Sequence, residues 1–423
     1  MSKKLAILVG GGPAPGINGV INSVVRECAR RGFSAVGIQD GFRGLQKLRE
    51  EAFVHLPEEH VARFADRGGS ILGTSKTDPT KHPQSRDDVH RLLESQGISM
   101  LVTIGGEGTI SIADQLFPPT SPLAVVHVPK TIDNDLPLPG LTSTFGFQTA
   151  REVGSNVVRS LLEDARTTKR WYVAVTQGRH AGHLALGIGI SSGATLTLIP
   201  EEFIEEGNTE RPAGIQPGLS VVVDTIVGSV IKRLARGKSY GVAVVAEGLS
   251  EILMQDPNFD ARSLRRDQNG NVRYSEIDLS GIMSQRTRDR LLALGVEMEL
   301  VHHDIGYELR SVAPNAFDRE YTLQLGYGAV EFLVRGGSRA MITRRGDQFE
   351  AMSFDSLRDA TTLMIPARRV SLQSETYQIA RDYMERISEV DLREPPRLAT
   401  LSALTNLSAA EFRREFLATT GAR

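Results

Sequence analysis

A lysine and two aspartates stand close together after an apolar stretch of the chain. Lys130, Asp133 and Asp135 follow the run Val126-His127-Val128-Pro129, which is typical of a buried strand. In open α/β sheets, ligands collect beyond the carboxyl ends of strands, so these charges predict a reaction centre. A polar turn with an aspartate cap is the simpler alternative.

A second loop favours the reaction centre. Gly105-Gly106-Glu107-Gly108-Thr109 also follows an apolar strand, and it opens a helical pattern. Backbone amides at such a helix start can cradle a phosphate. Glu107 would repel that phosphate unless a cation lay between them, so we expect Glu107 to help hold Mg²⁺. A carboxylate that only stabilises the helix N-terminus is the alternative.

Two more glycine-containing loops suit phosphate contacts. Gly10-Gly11-Gly12-Pro13-Ala14-Pro15-Gly16 separates the apolar run 5–9 from a helical pattern that starts at Ile17. An ordinary strand-to-helix turn would have the same pattern. The loop from Arg67 to Lys76 combines glycines, small hydroxyl side chains and a lysine, as a phosphoryl clamp would, although a solvated lysine is the alternative.

Composition excludes several classes of protein. The chain has 423 residues, 40% of them hydrophobic and 24% charged, and a formal net charge of -2. This balance provides no basic field for nucleic acid or for a membrane surface. The single cysteine, Cys28, excludes an intramolecular disulfide and a cysteine-rich metal site. The sequence contains no signal-peptide core and no membrane-spanning run, so we expect a cytoplasmic protein.

Strand and helix patterns alternate along most of the chain. This alternation predicts an α/β fold of two Rossmann-like lobes, with mainly parallel sheets covered by helices and the active site in the cleft between lobes. One lobe is expected at 1–148 and about 309–360, and the other at about 149–308 and 361–423.

Two local features are expected late in the chain. A strand is predicted at 297–301, followed by a turn that starts at His302 and contains Tyr307 and Arg310. An Asn-Gly sequence at 269–270 predicts a hairpin insertion near 250–278.

Four short motifs occur in these loops and after one later apolar stretch. They are Gly-Gly-Pro-Ala-Pro-Gly-Ile-Asn at 11–18, Gly-Gly-Glu-Gly-Thr at 105–109, Pro-Lys-Thr-Ile-Asp-Asn-Asp at 129–135 and Ala-Glu-Gly at 246–248. In order and rough spacing they resemble the phosphofructokinase family, in the longer bacterial branch that includes diphosphate-dependent and ATP-dependent members. Gly-Gly-Glu-Gly-Thr alone also resembles NAD kinases and diacylglycerol kinases, whereas Thr-Ile-Asp-Asn-Asp is much more specific.

The resemblance implies Mg²⁺-dependent transfer of a phosphoryl group to the 1-hydroxyl of fructose 6-phosphate. Asp133 would be the general base, with Thr131 near the transferred group. Asp135 and Glu107 would position Mg²⁺. Cationic residues would stabilise the transferring charge; these are Lys76, Lys130 and Arg170.

The resemblance also implies that the lobe at 1–148 and about 309–360 binds the phosphoryl donor and that the lobe at about 149–308 and 361–423 binds the sugar phosphate. Two sets of binding residues follow. Those matched to the phosphoryl donor are Gly12, Lys76, Thr77, Gly106, Glu107, Gly108 and Thr109. Those matched to the sugar phosphate are Thr131, Ile132, Asp133, Arg170, Gln177, Gly178, Arg179, Glu247, Tyr307 and Arg310. Arg170 would reach the sugar phosphate of a neighbouring subunit, which implies a homodimer or homotetramer.

Several positions depart from the family pattern. Gln177 stands where methionine is usual, which affects packing over the sugar ring more than the chemistry. Val301 occupies the place of a basic residue, for which His302 or His303 could compensate. Arg26 keeps one arginine of the effector site of regulated relatives, but Asn22 replaces the other.

The donor is expected to be ATP. At the position of Gly108, diphosphate-dependent relatives tend to have an aspartate that excludes the α-phosphate of ATP, and glycine leaves that space open. Lys130 points to diphosphate, which is the alternative donor. A non-catalytic sugar-phosphate sensor is an alternative of another class, and a lipid or NAD kinase is a distant third.

Overall fold

The computed structural model describes residues 4–47, 50–81, 83–204, 218–256, 259 and 277–421. The hairpin expected around Asn269 and Gly270 lies outside the described residues.

The strands are short, and those inside the two sheets are mostly buried. Their bounds are β1 Lys4–Val9, β2 Ser34–Ile38, β3 Phe53–His55, β4 Ile98–Gly105, β5 Ala124–Thr131, β6 Phe145–Gly146, β7 Trp171–Thr176, β8 Leu196–Leu198, β9 Gly241–Ala246, β10 Leu300–Ile305, β11 Ala340–Arg345 and β12 Gln348–Ser353.

Helices follow most of the strands. Their bounds are α1 Ile17–Arg30, α2 Phe42–Gln46, α3 Glu58–Ala62, α4 Pro83–Ser95, α5 Glu107–Leu116, α6 Phe147–Thr168, α7 His183–Ser192, α8 Leu219–Ala235, α9 Ser250–Leu253, α10 Leu279–Ala293, α11 Ala316–Val334, α12 Phe354–Leu357, α13 Glu375–Tyr383, α14 Glu389–Arg393, α15 Pro395–Ser402 and α16 Ala409–Phe416.

The chain divides into two compact units. Unit 1 comprises Met1–Ala150 and Tyr307–Arg368, and unit 2 comprises Arg151–Gly306 and Arg369–Arg423. Both units are built on sheets whose strands are mainly parallel, which confirms the expected α/β class. The roles expected of the two lobes stay predictions.

In unit 1 the sheet has the order β12-β11-β5-β4-β1-β2-β3, and β6 pairs with β5. Its central strand β1 shows why apolar runs mark such strands. Leu5, Ile7 and Val9 belong to the hydrophobic cluster on one face, and Ala6 and Leu8 belong to the cluster on the other. Since both faces are covered by helices, each position from Leu5 to Val9 is apolar.

Two edge strands of unit 1 run antiparallel to their neighbours and were not anticipated. β3 pairs with β2, and β12 pairs with β11 across a tight turn at Gly346, whose φ is 64°. Glycine adopts this left-handed conformation without the steric cost of a Cβ atom.

In unit 2 the sheet has the order β10-β7-β9-β8, and its strand pairs are parallel. Trp171 is fully buried, and a Cβ atom at Gly241 would lie 2.7 Å from its ring. Glycine is therefore required on β9 beneath the indole.

The expected strand at 297–301 is wrong in its position, because β10 spans Leu300–Ile305. His302 and His303 consequently lie within the strand, opposite Val173 and Ala174, rather than in a turn. His302 and Asp304 are exposed, so polar side chains alternate with more buried positions along this edge strand.

Among the described residues, no helix has both the length and the apolar character needed to cross a membrane.

Candidate active site

The loops that the sequence singled out meet at one edge of the sheet in unit 1. Parallel pairing places Val9 opposite Ile104 and Gly105 opposite Pro129, so β1, β4 and β5 end at the same level. The turns that follow these strands therefore lie side by side.

The side chain of Thr109 explains two glycines, Gly10 directly after β1 and Gly105 at the end of β4. Cβ atoms at Gly10 and Gly105 would lie 2.4 Å and 2.1 Å from Thr109 Oγ1. Thr109 is 4% exposed, so its side chain packs where these two glycines leave space. Its expected contact with the donor stays a prediction.

The loop that contains Lys76 is attached to the first glycine loop through its backbone. Gly11 N donates to Ser75 O at 2.8 Å, and Thr74 Oγ1 donates to Gly11 O at 2.7 Å. Lys76 is exposed and Thr77 half-buried. These contacts bring the lysine to the same edge as Gly12.

Lys130 lies at the end of β5 and is only 4% exposed. Its ammonium donates to Gly12 O, and a Cβ atom at Gly11 would lie 3.2 Å from Nζ. The amine thus packs against the first glycine loop.

Burial and, less strongly, the charge of Arg310 lower the pKa of Lys130 to about 8. Asp133 opposes this by raising the pKa, as Asp135 does more weakly, and Lys76 lowers it. Unit 1 therefore gathers three cations and two carboxylates that influence one another, all of which the sequence had predicted as site residues.

The two aspartates flank a turn in an unusual backbone conformation. Asp133 N donates to Thr131 Oγ1 at 3.0 Å, and Asn134 between the aspartates has φ 57°. Asparagine is among the residues that tolerate this left-handed region best. Thr144 N donates to Asn134 Oδ1 at 3.0 Å, while Ile132 is buried beneath the turn. The Asp-Asn-Asp sequence is a polar turn, as in the simpler alternative, and it also carries the carboxylates of the site.

The second glycine loop begins helix α5. Gly106 precedes the helix, and Glu107 and Gly108 in its first turn are exposed. Glu107 Oε1 accepts from Ser111 Oγ at 3.0 Å. A Cβ atom at Gly108 would meet no atom of the described residues within 4 Å, which leaves the space beside this position open in that part of the chain.

A Mg²⁺ ion at this site would need some of its ligands from the substrate. Within the described residues, no group of three or more His, Cys, Asp or Glu side chains is arranged to hold a metal. Mg²⁺ is commonly bound by one or two carboxylates together with phosphate oxygens and water. Glu107 and Asp135 fit that donor set, and no site formed by protein alone is required.

His127 is a buried residue of this region that the sequence reasoning did not select. Thr103 Oγ1 lies 2.9 Å from Nδ1, and Nε2 lies 2.9 Å from Gly105 O. Burial lowers the pKa of His127 to about 3, so the ring is neutral. A neutral ring that donates from Nε2 fixes the carbonyl at the start of the second glycine loop. The only signal in the sequence was a histidine inside an apolar strand.

Arg310 ends a 3-10 turn, Tyr307–Arg310, at the point where the chain re-enters unit 1. Its guanidinium lies 5.0 Å from the ring centroid of Tyr307, which is 68% exposed. The following backbone approaches the 67–76 loop closely, since a Cβ atom at Gly68 would lie 1.9 Å from Ser311 O. Glycine is therefore needed at Gly68.

Unit 2 places a second group of predicted residues at one edge of its own sheet. Register aligns the last residues of β10, β7 and β9, so Gly306, Gln177 and Glu247 each follow a strand end at the same level. A Cβ atom at Gly306 would lie 3.5 Å from Gln177 Nε2.

The turn after β7 is tied to the turn after β9. Gly178 has φ 124°, and Gly248 N donates to Gly178 O at 3.1 Å. A Cβ atom at Gly248 would lie 2.5 Å from Arg179 O. This close approach brings Arg179 and Glu247 into one group.

Glu201 supports this edge and was not selected from the sequence. It is 8% exposed, and its carboxylate accepts from Gly182 N and Val370 N at 2.9 Å each. Burial raises the pKa of this carboxyl, while the hydrogen bonds oppose the rise.

A family model for phosphofructokinase matches residues 4–333 of the chain. The chain belongs to the phosphofructokinase family. It is therefore a phosphotransferase that acts on an alcohol group. The matched region includes each motif that suggested the family.

Two relatives that match almost the whole of this phosphofructokinase have names that specify pyrophosphate. The chain is 42% identical to pyrophosphate–fructose 6-phosphate 1-phosphotransferase of Naegleria fowleri, over 97% of this chain and 94% of the relative. It is 41% identical to the enzyme of the same name in Thermotoga maritima, over 99% of both chains. An ATP-dependent 6-phosphofructokinase of Mycobacterium leprae is 33% identical over 81% of this chain and 91% of the relative.

Solved structures show the same fold. Pyrophosphate-dependent phosphofructokinase from Nitrosospira multiformis matches with a TM-score of 0.66 at 16% identity, over 90% of this chain and 91% of that one. Pichia pastoris phosphofructokinase in the T-state matches with a TM-score of 0.63 at 21% identity, over 99% of this chain. This chain spans 39% of the length of that fungal chain.

Arg170 is not brought together with the other sugar-phosphate residues of unit 2. It precedes β7, whereas Gln177 follows the strand, and a strand of six residues spans about 20 Å. Its Nε lies 3.2 Å from Asp164 Oδ2, and its Nη1 lies 3.5 Å from Glu299 Oε1. Its expected role across a subunit interface stays a prediction.

Proposed function

We propose that the protein transfers a phosphoryl group from diphosphate to the 1-hydroxyl of fructose 6-phosphate, yielding fructose 1,6-bisphosphate and phosphate. The observation that supports phosphoryl transfer most directly is the buried ammonium of Lys130. It faces the first glycine loop, and its pKa is shifted by the charges of neighbouring residues, namely Lys76, Arg310, Asp133 and Asp135. This reaction needs little covalent assistance and depends on positioning and on cations around the phosphoryl oxygens.

The residues of unit 1 divide the work of the reaction. Asp133 accepts the proton of the 1-hydroxyl while the oxygen forms a bond to phosphorus, and the bond to the departing phosphate breaks. Lys130 and Lys76 stabilise the negative charge that develops on the leaving oxygens. Glu107 and Asp135 would hold Mg²⁺, which supplies further charge neutralisation when it is bound.

The residues matched to the sugar phosphate have suitable chemistry. Glu247 can accept hydrogen bonds from sugar hydroxyls, and Arg179 can donate to the sugar or its phosphate. Arg310 is suited to the 6-phosphate, because a forked guanidinium can contact two oxygens of a dianion.

The choice of diphosphate rests on two arguments. The relatives that match almost the whole chain at 42% and 41% identity are named for pyrophosphate, whereas the ATP-dependent relative is 33% identical over 81% of the chain. Lys130 also adds a cation beside the loop where a compact, highly charged donor would lie. The expectation of ATP rested on the open space beside Gly108, but an open space permits an α-phosphate without providing contacts to bind it.

ATP remains the second candidate because of that same position. Gly108 is exposed, and a Cβ atom built on it meets nothing within 4 Å, so no side chain there repels a nucleotide. A carboxylate at this site would do so through charge and volume.

The test is a coupled assay of the purified protein with fructose 6-phosphate and Mg²⁺, in parallel reactions with diphosphate and with ATP. Turnover with diphosphate but not with ATP is the expected result. Turnover with ATP alone would overturn the donor assignment. Binding of fructose 6-phosphate without turnover from either donor would favour the sensor over the enzyme. The Asp133→Ala variant is the control for turnover that does not depend on the proposed base.

A further inference from the structure

Arg368 contacts the turn that carries both aspartates. Nε and Nη2 donate to Asn134 O at 3.2 and 3.1 Å, and Nη1 donates to Thr142 O and Leu138 O at 2.8 and 3.4 Å. Nη2 also donates to Asn134 Oδ1. The backbone amide of Arg368 donates to Asp135 O at 2.7 Å. One residue thus connects both ends of the loop 134–142.

The backbone of this loop depends on such contacts. Asn134 has φ 57°, a left-handed conformation that is unfavourable for a residue with a Cβ atom. Because Asn134 separates Asp133 from Asp135, a rotation of its backbone would displace the two carboxylates relative to each other. Arg368 and Thr144 N both donate to its side-chain oxygen, and together they stabilise this conformation.

The segment that carries Arg368 is itself anchored beside the loop. Ile365 is 8% exposed and belongs to the same hydrophobic cluster as Leu136 and Leu138. Arg368 lies beyond residues 4–333, which the family model matches. The contact is therefore made by a part of the chain outside the matched motifs.

We propose that Arg368 is a positioning residue that holds Asp133 and Asp135 in the geometry used for phosphoryl transfer. The roles of the two aspartates rest on the proposed function, whereas the stabilisation of the loop 134–142 by the hydrogen bonds of Arg368 does not. A planar guanidinium with five N–H donors can serve several diverging carbonyls at once. A lysine ammonium has three donors at a single point and cannot replace it here.

Hydrogen exchange of the full chain tests the hold without relying on activity. The amides of Leu138, Thr142 and Thr144 are hydrogen-bonded within or onto this loop, so a peptide covering 138–144 reports on it. In Arg368→Lys, exchange in this peptide should be at least about 10-fold faster than in the wild type, with little change elsewhere.

Arg339→Lys is the matched control. Arg339 is also a partly buried arginine of unit 1, and it donates to Asp114 and to Phe117 O, near the C-terminal end of α5. Its replacement should leave the 138–144 peptide unchanged. Unchanged exchange of that peptide in a folded Arg368→Lys protein would overturn the proposal, as would equal acceleration in the control.

Chemical rescue tests the consequence for catalysis. Arg368→Ala should lower kcat about 100-fold, the scale expected when reacting groups are displaced by roughly 1 Å. Added methylguanidinium should restore about 10-fold of this loss, because it can re-form the charge-assisted bonds, and it should not improve Arg339→Ala. Normal kcat in Arg368→Ala, or no rescue despite a folded protein, would refute the positioning role. A wild type without activity that still shows the exchange effect would instead mean that the proposed function is wrong while the hold is real.

Discussion

Replacing Lys130 by methionine should stabilise the protein at neutral pH while abolishing efficient use of the donor. Burial is the main reason that the pKa of Lys130 falls from 10.5 to about 8. At about 1.36 kcal/mol per pH unit, this difference means that the buried charge lowers the free energy of unfolding by about 3 kcal/mol. Methionine has a similar volume but no charge.

The sign and the pH range follow from proton linkage. Below pH 8, Lys130 is protonated in the folded and unfolded states, so the full cost is present. Between pH 8 and 10.5 the folded protein releases this proton first, and the cost disappears. Methionine also loses the hydrogen bond to Gly12 O, worth about 1 kcal/mol. Lys130→Met should therefore be about 2 kcal/mol more stable at pH 7 and about 1 kcal/mol less stable above pH 10.5.

The assay is urea-induced unfolding followed by circular dichroism at both pH values. Lys76→Met is the matched control, since this exposed lysine lies in the same group of charges, and its effect should stay within about 0.5 kcal/mol. In parallel, Lys130→Met should lose about 100-fold in kcat/KM with diphosphate. A variant that is less stable at pH 7, or a difference that does not change with pH, would refute the reasoning.

Asp133→Asn should lower kcat by about 10²- to 10⁴-fold, because the base is lost. The affinity for fructose 6-phosphate, measured by calorimetry, should stay within about threefold, because the side-chain volume changes little. Weaker binding without loss of kcat would contradict the role of Asp133 as base. Gly108→Asp should abolish any ATP turnover while diphosphate turnover stays within about 10-fold, because the carboxylate enters the open space. Rates would be measured with both donors, and ATP turnover that survived the substitution would contradict this prediction. Lowering the pH from 6.5 to 4.5 should cost the wild type about 2 kcal/mol through His127, whose pKa of about 3 lies far below its ordinary 6.5, so the unfolded state takes up the proton first. His127→Gln, which can replace both ring hydrogen bonds, should lose about 2 kcal/mol less over the same range in urea unfolding, and equal acid sensitivity would argue against the assignment.

The strands that carry the site were predictable from local sequence. β1, β4, β5, β7 and β9 each contain a long apolar run, because helices cover both faces of their sheets. Their carboxyl ends could therefore be located, and the charged or glycine-rich turns after them could be recognised as candidates for chemistry.

Strands at sheet edges were harder to recognise. β10 contains His302, His303 and Asp304, and exposed positions alternate along it, so its second half has the composition of a loop. β12 has exposed positions at alternate residues in the same way and pairs antiparallel at the other sheet's edge. Half-solvated strands lack the continuous apolar run that identified the central ones.

The contacts that position the loops of the candidate site leave no local signal in the sequence. Arg368 is 234 residues from Asn134 in sequence, and His127 contacts Thr103 24 residues away. Their side chains act through backbone carbonyls and hydroxyls, which every segment of chain possesses. Only the fold determines which carbonyls an arginine meets, so motif reasoning identified the aspartates but not the residues that hold them.

The buried charge of Lys130 affects both the stability of the protein and its affinity for an anionic donor. Its ammonium is buried, and burial together with the charges of Arg310 and Lys76 lowers its pKa to about 8, although the two aspartates oppose this shift. A donor that brings several negative charges beside the first glycine loop would supply the missing counter-charge, raise the pKa of Lys130 and recover the stability that the buried charge costs. An anion bound beside Lys130 would therefore offset the cost of burying its charge. Lys130→Met carries no such buried charge and should gain less stability from added diphosphate than the wild type does.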